Sequence, residues 1–315
     1  MYNCNNTIID KGVNMERTII DYQNAFLEIT EELKKNNNIL AIFIFGSMVT
    51  GDLWEDSDID LFVICNDEFH EVRDVYTEVL NVPVHTKFIS KKSFIESYDG
   101  EGVKGGTIKR TLISSKLIFS KDDDISTIYS SARYSKDLDG DRWNLVYLSN
   151  LLKDIGVCKK YLHTGGLYTS YEVLVRVLDN FSKLYLSMKG YVVSKDALKM
   201  ACNLSDSFDA LIEELFSGNL NKETMEKTIS FIENNLDSTI KDIANPILVF
   251  LEEYKGYLSS YEIEKDELFI NFNIKVEYIL KYLYKKDLVD REFRSFEDSF
   301  GNKLTKENVY SYKTF

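Results

Sequence analysis

The amino-acid sequence predicts an α/β domain with a mixed sheet, followed by an all-α bundle and then by helices that lead into a C-terminal β-hairpin. Apolar runs of strand length alternate with helical patterns over the N-terminal third. From about residue 125 to about residue 235 the apolar residues recur only at helical spacing. A polar, aromatic-rich segment that turns at Phe300, Gly301 and Asn302 ends the chain. We place the three domains at residues 1–122, 123–240 and 241–315.

The first domain is predicted from the order of its local patterns. Apolar residues recur at helical spacing over residues 21–35, and the asparagines at 36–38 end that helix. The runs ILAIFIFGS and DIDLFVIC each have the length and composition of a strand, and a glycine-containing turn region separates them. Residues 67–80, DEFHEVRDVYTEVL, predict a helix, whereas VPVHTKFIS and SKLIFSKDDD predict two further strands. This order predicts a sheet that needs cover on both faces.

Two long helical patterns, WNLVYLSNLLKDIGVCKKYL and YEVLVRVLDNFSKLYLSMKG, predict the bundle. Gly190 is predicted to cap the second of these helices, because glycine adopts the left-handed conformation without strain. The next elements are a helix, a short helix that begins near Ser259 and Ser260, a third helix and a β-ribbon. This order resembles a winged helix-turn-helix over roughly residues 242–315.

Composition and charge exclude several classes of protein. A formal net charge of −13 at pH 7 disfavours broad contact with phosphate backbones. The four cysteines lie far apart and in no metal-binding spacing, so neither a disulfide framework nor a zinc site is indicated. No apolar run of about 18 residues predicts a membrane span, and the N-terminus lacks the pattern of a secretory signal. We therefore expect a cytoplasmic protein without membrane contact.

Two aspartates lie on the predicted strand DIDLFVIC. Because successive side chains of a strand point to opposite faces, Asp58 and Asp60 share one face while Ile59 and Leu61 point into the core. Two adjacent carboxylates repel each other unless a cation lies between them, and Mg²⁺ prefers carboxylate, phosphate and water oxygens. Upstream, Gly46 and Ser47 end a strand, where free backbone N–H groups and the missing glycine side chain let a phosphate approach. The pattern predicts a site for a metal ion and a nucleotide.

The strand, the Gly46-Ser47 pair, ten intervening residues and Asp58-Ile59-Asp60 together resemble the DNA polymerase β-like nucleotidyltransferase superfamily. SDIDLFVI, at residues 57–64, is the form common among its minimal and antibiotic-modifying branches. The resemblance implies that Asp58 and Asp60 bind Mg²⁺ (or Mn²⁺) and that Gly46 and Ser47 hold the triphosphate of ATP or another NTP. We also predict nucleotide contacts from Ser57 and from Lys87.

The next predicted strand, VPVHTKFIS, departs from this family. Many catalytically complete members carry a third acidic residue there, beside the pair, whereas this strand has none and offers His85 or Lys87 at the matching position. Three arrangements are open: His85 acts as the base, an acid such as Glu172 or Asp179 comes from the helical domain, or catalysis is weak or absent. We take His85 as the candidate catalytic residue.

The sequence thus predicts a metal-dependent nucleotidyltransferase that moves AMP from ATP to a hydroxyl acceptor. By resemblance, the acceptor is a small molecule such as an aminoglycoside or lincosamide, or a hydroxyl on a protein or RNA. The alternative is a nucleotide-sensing regulator of little or no activity that binds DNA through its C-terminal domain. Acidic residues interleave with the lysines and arginines of that domain, which favours a hairpin that packs on its own domains or forms a homodimer.

Overall fold

The structure is a computed structural model that describes residues 17–99, 108–109, 111–134, 139–218 and 221–313. The described residues form two compact units, one that ends at residue 134 and one that begins at residue 139. The predicted domain boundaries at residues 122 and 240 stay predictions.

The first unit is built around a mixed sheet, as predicted, but this sheet has five strands instead of the four that the sequence predicts. The strand order is β3-β4-β2-β1-β5, in which β2 and β4 run parallel and the other neighbours run antiparallel. In chain order the elements are α1 (Ile19–Lys35), β1 (Ile39–Phe45), α2 (Ser47–Thr50), β2 (Ile59–Cys65), β3 (Arg73–Val79), β4 (Val82–Ser90), α3 (Lys91–Asp99), β5 (Lys116–Ser120) and α4 (Asp123–Tyr134).

Both faces of the sheet are buried under helices, which explains why β1 and β2 are apolar along nearly their whole length. Ile59 and Leu61 of β2 are fully buried in a cluster that includes Tyr22 and Ala25 of α1. On the opposite face Phe62 packs in a second cluster, with residues of α3 and α4. The alternation along β2 therefore directs its residues to opposite faces, as the sequence predicts.

The helix predicted over residues 67–80 is wrong, because this segment contains the edge strand Arg73–Val79. The strand pairs antiparallel with β4 through a two-residue turn at Leu80 and Asn81, whose φ angles are 50° and 61°. Positive φ at both positions is the geometry of the hairpin turn that matches the twist of paired strands. Nearly all side chains of β3 are exposed. Residues 73–79 form a strand because their backbone pairs with β4. The spacing of apolar residues within this segment gives no information about that pairing.

The second unit begins with the two predicted long helices, α5 (Gly140–His163) and α6 (Leu167–Met188). Gly190 has a φ of +79°, and its N–H donates to Ser187 while the N–H of Tyr191 donates to Leu186. These are the two hydrogen bonds of a Schellman cap, so the predicted role of Gly190 is confirmed. The remaining elements are α7 (Ala197–Asn203), α8 (Asp206–Ser217), α9 (Lys222–Ile243), α10 (Asn245–Tyr254), α11 (Ser260–Lys265), α12 (Val276–Lys285), β6 (Val289–Glu297) and β7 (Lys303–Tyr312).

The C-terminal part shows the predicted short helix, with Ser259 as its N-cap, and the predicted hairpin. Leu258 and Tyr310 exchange two backbone hydrogen bonds of 2.9 and 2.8 Å, which tie the segment before the short helix to the hairpin. The winged helix-turn-helix assignment itself stays a prediction.

Two further observations bear on the sequence predictions. Cys65, Cys158 and Cys202 are free and buried, and burial raises the pKa of each thiol to about 11. Such thiols act as small core side chains and are poor nucleophiles.

Within the described ranges, no helix is both long enough and apolar enough to cross a bilayer.

Candidate active site

The side chains of Asp58, Asp60 and His85 converge at one end of the central sheet. Asp58 immediately precedes β2, Asp60 is the second residue of that strand, and His85 lies directly opposite Asp60 on the parallel neighbour β4. One potential ligand atom from each of the three lies within 4.8 Å of the other two. All three residues are half-buried. The structure thus brings together the two predicted metal ligands and the predicted catalytic histidine.

Gly46 and Ser47 lie beside this group, because β1 pairs antiparallel with β2 so that Phe45 is opposite Asp60. Gly46 has φ +70° and ψ −150°, a conformation that is essentially restricted to glycine. A Cβ atom at this position would lie 2.3 Å from Oδ2 of Asp60. The carboxylate therefore packs against bare backbone, and glycine is required for Asp60 to occupy its place. Ser47 follows as the first residue of helix α2.

The loop before Asp58 is held by hydrogen bonds within the protein. The buried Ser57 accepts a hydrogen bond at Oγ from the Trp54 N–H, at 3.0 Å. The Tyr22 hydroxyl, which is also buried, lies 2.9 Å from the carbonyl oxygens of Trp54 and Ser57 and 3.2 Å from that of Glu55. Its single hydrogen is shared among these acceptors. Ser57 thus supports the loop that positions Asp58, while its predicted nucleotide contact stays a prediction.

Tyr22→Phe is expected to lower the free energy of unfolding of the first unit by about 1 kcal/mol, because the loop carbonyls, including the buried one of Ser57, lose their donor. Urea denaturation monitored by circular dichroism measures this difference. Tyr76→Phe is the matched control, since it removes a hydroxyl from a side chain that is 73% exposed. We expect that control to stay within about 0.5 kcal/mol of wild type. Equal losses in the two variants would contradict the role of Tyr22.

Asp74 is a site residue that the sequence prediction missed. It lies on β3, and its Oδ1 atom is 2.7 Å from Nε2 of His85 and 2.9 Å from Nζ of Lys87. Hydrogen bonds from Lys87 and then from His85 hold the pKa of the Asp74 carboxyl below its usual range. Tyr76, two residues further along β3, stacks on the His85 ring with centroids 4.5 Å apart and planes inclined by 4°. Because residues 67–80 were predicted as a helix, neither residue was placed beside His85. Asn81, which directly precedes a predicted strand, is a residue typical of turns and could have indicated the hairpin.

The other candidates for phosphate or proton chemistry already have charged partners in the structure. Lys87 lies on the same strand as His85, but its ammonium is paired with Asp74. In the second unit, Glu172 pairs with Arg176 at 3.1 Å and Asp179 with Lys183 at 2.6 Å. The predicted contribution of these residues to the active site stays a prediction.

The basic side chains near the C-terminal hairpin are also largely engaged with acids or aromatic rings. The Arg291 guanidinium lies 4.2 Å from the centroid of the Tyr284 ring. Free cationic side chains are what contact with DNA phosphates requires, so these pairings do not favour the DNA-binding alternative. The ion pairs are Lys281 with Glu277, Lys286 with Asp237, Lys313 with Asp287, and Arg294 with both Glu262 and Glu307.

Comparison with known proteins agrees with this geometry. Residues 28–124 match the family model described as polymerase beta, nucleotidyltransferase. A 68-residue segment is 34% identical to a protein of Methanocaldococcus jannaschii named "Putative protein adenylyltransferase", and it covers 22% of this chain and 63% of that protein. A nucleotidyltransferase-like protein from Exiguobacterium sibiricum shares the fold, with a TM-score of 0.62 and 13% identity over 93% of this chain and 100% of that one. The segment from residue 28 to residue 124 is therefore a polymerase β-like nucleotidyltransferase domain.

Proposed function

We propose that this chain is a metal-dependent nucleotidyltransferase that transfers AMP from ATP to a hydroxyl acceptor. The observation that carries the proposal is the convergence of Asp58, Asp60 and His85 beside the Gly46-Ser47 pair. These residues lie within the segment that matches the nucleotidyltransferase family. ATP is the proposed donor because the relative from Methanocaldococcus jannaschii bears the name of an adenylyltransferase.

The donor atoms of the site suit a divalent ion. Two carboxylates with ligand atoms within 4.8 Å of each other repel unless a positive charge lies between them. Asp58 and Asp60 would hold the ion, since carboxylate oxygens are ligands that Mg²⁺ and Mn²⁺ both accept. When bound, such an ion stabilises the negative charge that builds up on the α-phosphate and on the leaving pyrophosphate.

The residues of the chain have separate tasks in this reaction. The missing side chain of Gly46 makes room for the Asp60 carboxylate. Backbone N–H groups of the Gly46-Ser47 turn and the hydroxyl of Ser47 donate hydrogen bonds to phosphate oxygens. The acceptor oxygen forms a bond to the α-phosphorus, and the bond from that phosphorus to the oxygen bridging to the β-phosphate breaks. The acceptor hydroxyl gives its proton to a water molecule of the solvent, and pyrophosphate leaves with the electron pair of the broken bond.

The acceptor class is proposed from resemblance and from charge. Aminoglycosides are polycations, and the net charge of −13 favours their approach to this chain. A protein hydroxyl is the second acceptor to test, because the relative named above is called a protein adenylyltransferase. A lincosamide and an RNA hydroxyl are the remaining candidate acceptors.

The experiment combines nucleotide binding with transfer. Calorimetry with a non-hydrolysable ATP analogue is expected to show affinity that appears with Mg²⁺ or Mn²⁺ and disappears with a chelator. ATP labelled at the α-phosphate, incubated with aminoglycosides, lincosamides, RNA and protein, is expected to label one acceptor and release pyrophosphate. The binding measurement needs no acceptor. Absence of ion-dependent nucleotide binding would overturn the proposed function.

A further inference from the structure

Both ring nitrogens of His85 face carboxylates, Nδ1 that of Asp60 and Nε2 that of Asp74. We infer that His85 is a third metal ligand, that Asp74 positions it, and that the site therefore selects a first-row divalent transition metal ion over Mg²⁺. This inference rests on the proposed function for the presence of a metal ion. It adds to that function the identity of the ligand set and the class of ion.

The first step is the contact between His85 and Asp60. Nδ1 of His85 lies 3.2 Å from Oδ1 of Asp60, and Nε2 lies 2.7 Å from Oδ1 of Asp74. A neutral imidazole has one N–H to donate, so it satisfies one of these carboxylates and turns a lone pair toward the other. A cation between that lone pair and the carboxylate removes the repulsion. The ligand atoms of Asp58, Asp60 and His85 already lie close enough together to share one ion.

The second step is the shorter contact, from Nε2 to Asp74. When Nε2 carries the single hydrogen of a neutral ring, the lone pair of Nδ1 faces Asp60 and is available to a metal ion. Metal-binding histidines usually donate their other ring N–H to a carboxylate or carbonyl group, which orients the ring and raises its basicity. Asp74 supplies this partner, since its Oδ1 atom lies 2.7 Å from Nε2. Asp74 is thus a positioning residue, which acts through His85.

The third step is the rigidity of the arrangement. Tyr76 stacks nearly parallel on the His85 ring, and Lys87 holds the Asp74 carboxylate from the side. His85 is paired in register with Asp60 on β2 and with Tyr76 on β3. Its ring is therefore oriented by contacts from two neighbouring strands. A fixed ligand is the requirement for selectivity among ions.

The fourth step is the chemistry of the ligand set. Mg²⁺ binds oxygen ligands almost exclusively, whereas imidazole is a favourable ligand for first-row transition ions. Replacing a carboxylate by imidazole therefore weakens the site for Mg²⁺ more than for a transition ion. Mn²⁺ is the probe, because it accepts oxygen and nitrogen ligands and its unpaired electrons couple detectably to a ligand nitrogen.

The test uses the full-length protein and Mn²⁺ without nucleotide. Electron spin echo envelope modulation of the Mn²⁺ complex is expected to show coupling to an imidazole nitrogen in the wild type, a signal that His85→Asp abolishes. Paramagnetic resonance of free Mn²⁺ gives its affinity, and competition with Mg²⁺ gives the selectivity. We expect Asp74→Asn to weaken Mn²⁺ binding by about 10- to 100-fold. His85→Asp, with three carboxylates, is expected to shift the preference toward Mg²⁺ by about tenfold or more.

Glu78→Gln is the matched control, because it removes one negative charge from the same face of the same strand. We expect it to leave Mn²⁺ affinity within about twofold of wild type, since an exposed charge outside the ligand set contributes little. Absence of nitrogen coupling in the wild type, or equal losses in Asp74→Asn and Glu78→Gln, would overturn the inference. Nucleotide transfer with Mg²⁺ could then still occur, with His85 as a base. Nitrogen coupling without any nucleotide binding would instead overturn the proposed function alone.

Discussion

We expect Asp60→Asn to lower the rate of nucleotidyl transfer by about a thousandfold or more. Asparagine keeps the shape of the side chain, so it fits beside Gly46 as aspartate does. It lacks the negative charge that holds a divalent ion. A metal ion contributes several kcal/mol of transition-state stabilisation, which corresponds to a rate factor of about a thousand. Release of pyrophosphate from ATP measures the rate, and ion-dependent affinity for a non-hydrolysable ATP analogue measures ion binding.

Asp56→Asn is the matched control for this prediction. Asp56 is exposed on the loop that leads to Asp58, and the substitution makes the same change in charge. We expect its rate to stay within a few-fold of wild type, because exposed charges interact weakly through water. Circular dichroism of Asp60→Asn checks that the fold is retained. Wild-type activity in a folded Asp60→Asn protein would contradict the assignment of this carboxylate to the metal ion.

Gly46→Ala is expected both to destabilise the first unit and to lower the rate of transfer by about a hundredfold. The backbone conformation at Gly46 costs a non-glycine residue about 1–3 kcal/mol. The new methyl group would also lie 2.3 Å from Oδ2 of Asp60, so the carboxylate must move. A displacement of about 1 Å at a catalytic group costs on the order of a hundredfold in rate. Urea denaturation measures the stability, and Mn²⁺ affinity measures the displacement of Asp60.

Gly51→Ala is the matched control, because it introduces the backbone strain of a positive φ without a steric clash with Asp60. Gly51 also has a positive φ, of 85°, but a Cβ there meets no atom within 4 Å. We expect this variant to lose stability by about 1 kcal/mol and to bind Mn²⁺ as the wild type does. The comparison isolates the effect of the Asp60 contact. If Gly46→Ala bound Mn²⁺ as tightly as Gly51→Ala, the close packing of Asp60 against the backbone would have no functional meaning.

Several features of this protein are determined locally and could be predicted from the sequence. The alternation of Asp58, Ile59, Asp60 and Leu61 places the acids and the buried residues on opposite faces, because the strand repeat is two residues. The apolar density of β1 and β2 predicts strands that are buried on both faces. The interval between Gly46-Ser47 and the aspartates resembles that of the polymerase β-like nucleotidyltransferases, and this resemblance implies that strand, turn and strand form one site. Each of these predictions rests on neighbours in the chain.

The helix predicted over residues 67–80 shows where local pattern fails. Strand β3 lies at the edge of the sheet with exposed side chains, so no buried face marks its period. Its identity comes from hydrogen bonds to β4, which the two-residue turn at Leu80 and Asn81 brings into place. The preference of a segment for a strand depends strongly on its neighbours in the sheet, and the composition of an exposed edge strand contains little information about those neighbours.

The sequence by itself determined that a pair of carboxylates lies at the start of one strand and close to a glycine turn, because the two-residue repeat of a strand places both acids on one face. Only the tertiary structure decided which groups complete the site. His85 reaches Asp60 from 25 residues away because β4 pairs in register with β2, and Asp74 reaches His85 from the opposite side because β3 folds back on β4. Register and hairpin geometry are properties of paired strands, and one strand's sequence does not contain them.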